Sequence, residues 1–137
     1  MEQKTKVTKE EIQEHIEKSK RKLRSAKILL EAGEYEDAIS RVYYAFFEIA
    51  STALLTKKII AKTHHGVLML FSRYFVETKK VPVKISRWMQ RARKAREEAD
   101  YEIVYRKFDK EIVERELEVA REFVKIVEKV IWEEFKK

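Results

Sequence analysis

Hydrophobic side chains recur along most of this chain at steps of three and four residues, which is the spacing of one face of an α-helix. The first such run follows Thr8, which forms a capping-box pattern with Glu11, and it stops at Gly33. Its apolar face consists of Ile12, Ile16, Ser19, Leu23, Ala26 and Leu30. The pattern predicts a long first helix with one narrow apolar face.

The next segment, residues 35–57, is apolar around most of a helical circumference. Its broad face contains Ala38, Ile39, Val42, Tyr43, Phe46, Ile49, Ala50, Ala53 and Leu54, and Tyr44, Phe47 and Leu55 extend it. A helix of this kind is either central in its domain or covered on a second side by a partner. We therefore expect a central helix, with a dimer interface formed by Tyr43, Tyr44, Phe46 and Phe47.

Three more helices are predicted downstream. Thr63 is placed to cap a third helix over residues 64–77, and Asp109 is placed to cap the last helix. Between them, the Val81-Pro82 pair precedes a fourth helix over residues 83–99. Two glycines and one proline are too few for the turns of an all-β fold. The chain is thus predicted to be a single all-α domain over residues 1–137, a bundle of about five helices with short connections.

The composition excludes several classes of protein. With no cysteine, the chain has no disulfide scaffold, no cysteine zinc site and no cysteine nucleophile. Gly33 and Gly66 stand alone, so there is no glycine-rich phosphate loop. No apolar run approaches the ~20 residues of a membrane span, and the first eight residues are too polar for a signal peptide. We expect a cytoplasmic protein away from the membrane, and the abundant Lys, Glu and Arg are typical of a thermophile surface.

The charge distribution is more informative than the net charge of +7. Residues 79–96 contain eight basic side chains and no acidic one, whereas the remainder of the chain carries a net charge of −1. On a helix, one basic face would hold Lys84, Arg87, Arg91 and Lys94, flanked by Arg93 and Arg96, with Trp88 among them. This segment predicts a surface for phosphates or nucleic acid. The alternative interpretation is a solvated helix face.

The three histidines suggest little chemistry on their own. His15 lies alone near the start of the first helix and predicts no site. His64 and His65 follow the Thr63 cap, and adjacent helical residues point about 100° apart, so the two do not share a metal ion naturally. They are interpreted as packing around the cap, with catalysis as the alternative. No acidic pair has metal-ligand spacing, and we expect neither a metal nor another cofactor.

Four short motifs, in this order, resemble a known family. Residues 26–38 are similar to its "A…LL..G.Y.dA" opening, and residues 41–47 to its "R.YYA.F" helix. Residues 63–67 are similar to its "tH.g" helix start, and residues 96–101 to its "R..ADY" element. The family is HEPN (higher eukaryote and prokaryote nucleotide-binding), in its small stand-alone archaeal and bacterial branch. The resemblance assigns His64, Asp100 and Tyr101 to the family signature.

The resemblance implies an up-and-down bundle of four or five helices, usually a homodimer. The bundle is similar to the helical substrate-binding domain of kanamycin nucleotidyltransferase. Many members form a toxin–antitoxin pair with a minimal nucleotidyltransferase, and in that branch a tyrosine can be adenylylated, for which Tyr101 and Tyr105 are the candidates here. Active members are metal-independent ribonucleases with an Arg, four to six residues, and then a His.

This sequence departs from that pattern at one position. Six residues separate Arg41 from Glu48, and at the position of Glu48 active relatives often carry His. The two share a helix face, so Arg41 could stabilise a phosphorane while Glu48 acts as general base. An exposed carboxylate with a pKa near ~4 does not readily protonate a leaving oxygen at neutral pH. The alternative is an Arg41–Glu48 ion pair on the helix surface or at an interface, without catalysis, just as Arg96 and Asp100 are spaced for an ion pair.

These observations lead to two functional hypotheses. The first is a module that dimerises and binds a nucleotidyltransferase partner, or nucleotide or RNA phosphates, without efficient catalysis. The second is a ribonuclease toxin that uses Arg41, with Glu48, His64 or His65 supplying the acid–base group. A third interpretation, a structural bundle whose charges serve solubility, predicts no salt-sensitive RNA binding.

Overall fold

The structure, a computed structural model, describes residues 2–3, 6–100 and 108–136. Five α-helices dominate this part of the chain, and a two-stranded β-pair and a π-helical turn complete it. In chain order the elements are β1 (Glu2–Gln3), α1 (Lys9–Glu31), α2 (Tyr35–Leu55), β2 (Ile59–Ile60), α3 (His64–Phe71), the π-helical turn (Ser72–Val76), α4 (Lys84–Asp100) and α5 (Lys110–Phe135). The predicted all-α bundle of about five helices is confirmed.

The three predicted N-terminal caps are present. The side-chain oxygens of Thr8, Thr63 and Asp109 each accept a hydrogen bond from the backbone N–H three residues later, at 2.9–3.1 Å. Each bond satisfies a backbone donor that the first turn of a helix leaves without an internal partner. At the end of α1, Gly33 has a φ of +79°, a left-handed conformation that glycine adopts without steric cost. Local sequence therefore sets these helix ends.

Helix α2 is the centre of the bundle, as its apolar circumference predicts. It packs against α1, α3, α4 and α5, and most of its side chains are buried. Its buried surface includes the ring of Phe46, whose centroid lies 4.4 Å from that of Phe123 on α5. On the α1 side, the buried Ser19 hydroxyl donates to the backbone oxygen of Ala45 at 3.0 Å. This bond explains how a polar residue occupies the apolar face of α1.

Two features were not predicted. β1 pairs antiparallel with β2, with Glu2 opposite Ile60 and Gln3 opposite Ile59. Strands of two residues are too short to show a period-two pattern, so hydropathy alone does not reveal them. The predicted third helix also changes to π-helical geometry at Ser72–Val76.

One strip of α2 stays at the surface between α1 on one side and α3 and α4 on the other. It contains Ser40, Arg41, Tyr44, Phe47 and Glu48, of which only Arg41 is fully exposed. Every candidate site residue contributed by α2, except the buried Tyr43 and Phe46, lies on this strip. The bundle therefore brings the remaining motifs together along one face of its central helix.

Candidate functional site

The family motifs, which are far apart in sequence, meet where α2, the start of α3 and the end of α4 come together. The Tyr43 hydroxyl of α2 lies 3.1 Å from Nδ1 of His64, the first residue of α3. The His64 ring packs on Phe47 at a centroid distance of 4.2 Å. We call this group, together with Ser40, Tyr44, Arg96 and Asp100, the signature cluster.

Arg96 organises the α4 side of the signature cluster. Its Nε lies 2.9 Å from Asp100 Oδ2, which confirms the predicted ion pair. Its Nη2 donates to the Tyr44 hydroxyl at 3.0 Å. The guanidinium also lies over the rings of Tyr43 and Tyr44, at 5.5 and 5.4 Å from their centroids. One cation is thus bound to a carboxylate, a hydroxyl and two aromatic faces.

Asp100 connects α4 back to the start of α2. Its Oδ1 accepts a hydrogen bond of 2.7 Å from the Ser40 hydroxyl, while its Oδ2 faces Arg96. Ser40 was not singled out in the sequence, although its position one residue before Arg41 of the second motif was the available signal. Tyr101, the remaining signature residue, and Tyr105 lie outside the described residues.

The electrostatics of the signature cluster favour neutral side chains at its centre. Burial lowers the pKa of His64, and the positive charges of Arg96 and Arg93 lower it further. Burial raises the pKa of the Tyr43 hydroxyl, although the same two arginines oppose that shift. At neutral pH the cluster therefore holds a neutral imidazole against a protonated phenol.

Arg41 and Glu48, the candidate catalytic pair, line two different cavities. Arg41 borders a polar cavity of about 360 Å³ that also contacts Asp37 and Asp100. Glu48 borders a second cavity, of about 290 Å³, and its Oε1 lies 3.5 Å from Nζ of Lys18. Within the described ranges no carboxylate lies within 4 Å of the Arg41 guanidinium. Within one chain the predicted Arg41–Glu48 ion pair on the helix surface is therefore wrong, because Lys18 faces Glu48 instead, and the same pair at an interface between subunits stays a prediction.

The six basic residues singled out on α4 fall into two groups. Three have a carboxylate partner in the same chain, in the pairs Arg91–Glu116, Arg93–Glu97 and Arg96–Asp100, at 3.1, 3.2 and 2.9 Å. The other three, Lys84, Arg87 and Lys94, are exposed and have no carboxylate within 4 Å in the part of the chain that the structure describes. Lys84 instead lies over the Trp88 ring, 5.1 Å from its centroid.

The four aromatic residues proposed for a dimer interface fall into a buried pair and a partly exposed pair. Tyr43 and Phe46 are each 1% exposed within the single chain, so their side chains belong to its own core. Their predicted place in a dimer interface is corrected by the fold, because α3, α4 and α5 already cover them. Tyr44 and Phe47 remain partly exposed on the α2 strip.

Other features of the surface were missed or left open. Residues 18–27 contain six basic side chains and no acidic one, a run comparable to that of α4. Two of them, Lys18 and Lys20, are paired with Glu48 and Glu128.

His65 is exposed, one residue from the partly buried His64. Among the described residues, no three His, Asp or Glu side chains cluster closely enough to hold a metal ion. No helix in the described ranges is both long and apolar enough to cross a membrane.

Comparison with known proteins identifies the family. A model of the HEPN domain matches residues 12–130, which include all four motifs. The chain belongs to the HEPN family. The resemblance drawn from the motifs is confirmed, and in this chain the described motif residues meet at the signature cluster.

Curated relatives of this HEPN protein come from archaea and bacteria. A Methanocaldococcus jannaschii protein named "Putative toxin MJ0142" is 35% identical over 69% of this chain and 64% of its own length. A second protein of that organism, "Putative toxin MJ0605", is 41% identical over 67% of this chain and 69% of its own. A UPF0332 protein of Thermotoga maritima is 36% identical over 80% of this chain and 82% of its own length. The chain thus spans about two thirds of the length of the first two relatives.

Proposed function

We propose that this HEPN protein is a dimerising module that binds phosphate groups of RNA or of a nucleotide and engages a nucleotidyltransferase partner, without efficient catalysis. The observation that carries the proposal is the division of charge on α4. Lys84, Arg87 and Lys94 are exposed cations without a carboxylate partner among the described residues, on a helix side that also presents Trp88. Such cations are available to replace the counterions of a phosphate backbone.

The inefficiency of catalysis is argued from the arrangement of the candidate groups. A general acid–base group has to lie within reach of the phosphate that the arginine stabilises. Arg41 and Glu48 border separate cavities, so the two groups do not face one phosphate position. Arg96 is committed to Asp100 and Tyr44. These contacts support a binding role more than a cleavage role.

The surface proposed for self-association is the α2 strip around Tyr44 and Phe47. Both rings are partly exposed, and the Arg41 cavity lies next to Tyr44. Aromatic side chains that are partly buried in a single chain gain further burial at an interface.

A second candidate function is metal-independent RNA cleavage. The specific observation that favours it is His64, whose pKa is lowered and whose ring is only partly buried beside Arg96 and Arg93. A neutral imidazole is competent to accept a proton at neutral pH, and nearby guanidinium groups stabilise phosphorane charge. Two relatives are named putative toxins, which is consistent with such an activity.

RNA affinity as a function of salt tests the binding proposal. We expect the triple variant Lys84→Glu, Arg87→Glu and Lys94→Glu to lose most RNA binding and most of its salt dependence. The control replaces three exposed cations of α5 with glutamate, in the triple variant Arg115→Glu, Lys125→Glu and Lys129→Glu. Equal losses in the two triple variants would show that net charge alone acts, and the proposal for α4 would be wrong.

A cleavage assay in EDTA separates the two candidate functions. We expect no turnover of RNA by the unmodified protein. Should cleavage occur, the ribonuclease candidate requires that it disappear in Arg41→Ala or His64→Ala, while the exposed neighbour variant His65→Ala stays active. Activity that survives both of the first two changes would point to a contaminating nuclease.

Sedimentation tests the proposed dimer. We expect the unmodified chain to sediment as a dimer at micromolar concentration, and Tyr44→Asp to shift it toward the monomer. Lys110→Asp, at the exposed start of α5, serves as a control away from the α2 strip. A chain that remains monomeric at high concentration would contradict the self-association part of the proposal.

A further inference from the structure

A second cavity of the molecule lies at the other end of the α2 strip and shares Phe47 with the signature cluster. It has a volume of about 290 Å³ and is bounded by α1, α2, β2 and α3. Its walls are mainly apolar, from Phe47, Leu54, Leu55, Ile59, Ile60, Ala61 and Val67. Of these, Leu54, Ile59 and Val67 are at most 4% exposed, so they form a rigid floor. The space suits a single aromatic ring or a short branched chain.

The polar groups that line this cavity come from α1 and α2. Glu48, Ser51 and Thr52 of α2 line it, and His15 lines it from α1. The Thr52 hydroxyl is committed, since it donates to the backbone oxygen of Glu48 at 2.7 Å. Glu48 is therefore the one formal negative charge among the lining residues, and its side chain is 15% exposed.

Lys18 does not remove the attraction of this carboxylate for a second cation. The Lys18–Glu48 distance is 3.5 Å, and the Lys18 side chain is 52% exposed. An ion pair with so exposed a partner contributes little to stability, because water competes for the ammonium group. A cation held inside the cavity would be shielded from solvent and would interact with Glu48 more strongly at the same distance.

We propose that this cavity binds a small amine with an apolar body, placing the ring or branched chain on the apolar floor and the ammonium group against Glu48. The charge of the lining determines the class of ligand. A carboxylate or phosphate would meet Glu48 at close range, and a neutral molecule would gain only the apolar contacts. The site is independent of the phosphate-binding function proposed for α4, because the two use different helix surfaces.

The test titrates the full chain with 2-phenylethylamine and follows the backbone amide signals by NMR. We expect saturable shifts at Ser51, Ile59 and Ala61, with a Kd in the range of about 1 mM, as is ordinary for so small a ligand. The neutral analogue 2-phenylethanol should bind about tenfold more weakly, and 3-phenylpropionate should not bind. Ser51→Phe, which fills the rim, should abolish the shifts.

Two matched charge variants identify the anchoring residue. Glu48→Gln should weaken amine binding about tenfold and leave 2-phenylethanol unaffected. Glu128→Gln removes a similar carboxylate, which is paired with Lys20 at 3.0 Å on the α5 side of α1, and should leave both ligands unaffected. Far-ultraviolet circular dichroism of each variant checks that it is folded.

Several results would overturn the proposal. Equal affinity for the amine and the alcohol would remove the role of Glu48, and shifts centred on another part of the chain would place the ligand elsewhere. No shift at about 10 mM amine would show that the cavity takes no such ligand. Tighter binding of an acetylated Phe-Lys amide than of the free amine would indicate a peptide as the occupant instead.

Discussion

The hydroxyl of Tyr43 lies 3.1 Å from Nδ1 of His64, although 21 residues separate them. This contact fastens the first turn of α3 to the central helix, and it holds the His64 imidazole, whose pKa is lowered by burial and by Arg96, beside the aromatic rings of α2. The two residues belong to two different sequence motifs. The contact therefore joins those two motifs in the folded chain.

Removing the Tyr43 hydroxyl should destabilise the protein measurably. Tyr43 is 1% exposed, so Tyr43→Phe keeps the packing and loses one buried hydrogen bond. We expect the free energy of unfolding in urea to fall by about 1 kcal/mol. Tyr35→Phe, at the partly buried start of α2, should change it by less than about 0.5 kcal/mol. Equal effects would mean that the Tyr43–His64 contact contributes no net stability.

Stability should depend on pH through His64. Its pKa in the folded protein lies below the ordinary histidine value of 6.5, so the unfolded chain binds this proton more readily. Stability is therefore highest above about pH 6.5 and falls as the pH decreases from there toward the folded-state pKa. Urea unfolding between about pH 5.5 and 7.5 should show this slope.

The variant His64→Gln should flatten that pH dependence. The matched variant His65→Gln alters the exposed neighbouring histidine and should leave the slope as it is in the unmodified protein. A slope that persists in His64→Gln would assign the pH dependence to other groups, and the electrostatic account of the signature cluster would then be wrong.

Replacing Arg91 and replacing Arg87 should change the free energy of unfolding by different amounts, although both residues lie on the predicted basic face. Arg91 is paired with Glu116, whose side chain is 3% exposed, so Arg91→Ala leaves a buried carboxylate without its partner. We expect a loss of about 1–3 kcal/mol in the free energy of unfolding. Arg87→Ala should change it by less than about 0.5 kcal/mol.

The two variants should show the opposite order in RNA binding. Arg87→Ala should reduce the slope of log affinity against log salt by about 0.7 for a single-stranded RNA, as expected when one phosphate contact is lost. The folded Arg91→Ala protein should keep a slope near that of the unmodified chain. A larger change for Arg91 would show that phosphate displaces Glu116 from its partner.

The Thr63 cap should stabilise the start of α3, which carries His64. The Thr63 hydroxyl oxygen accepts the Gly66 N–H at 2.9 Å, so Thr63→Ala leaves that donor without its partner. We expect a loss of about 1 kcal/mol in thermal or urea unfolding, and Thr63→Ser should retain most of the stability. If Thr63→Ser is as destabilised as Thr63→Ala, the threonine methyl group rather than the cap is responsible.

Much of the fold follows from local sequence. The five helices, the caps at Thr8, Thr63 and Asp109 and the left-handed stop at Gly33 depend on residues within one or two turns of each other. The central position of α2 also follows from sequence, since a helix with so wide an apolar face has to be covered on several sides. The family follows from the order of four short motifs.

Charge partners were harder to predict, because a basic residue can find its carboxylate on any neighbouring helix. The sequence grouped Arg91 with Lys84 and Arg87, whereas the packing of α4 against α5 pairs Arg91 with the buried Glu116. It also aligned Arg41 with Glu48 on one helix face, whereas α1 supplies Lys18 to that carboxylate. Sequence spacing constrains pairs within one helix only.

The sequence by itself determined the helices, their three capped starts, the stop at Gly33, the central helix and the family, because each depends on short-range periodicity, capping chemistry or ordered motifs. Only the tertiary structure decided that Tyr43 and Phe46 belong to the core, that His64 meets Tyr43, and that His15 and Glu48 border one cavity. These relationships join residues on different helices. They are set by how the helices pack, and no local pattern in the chain encodes them.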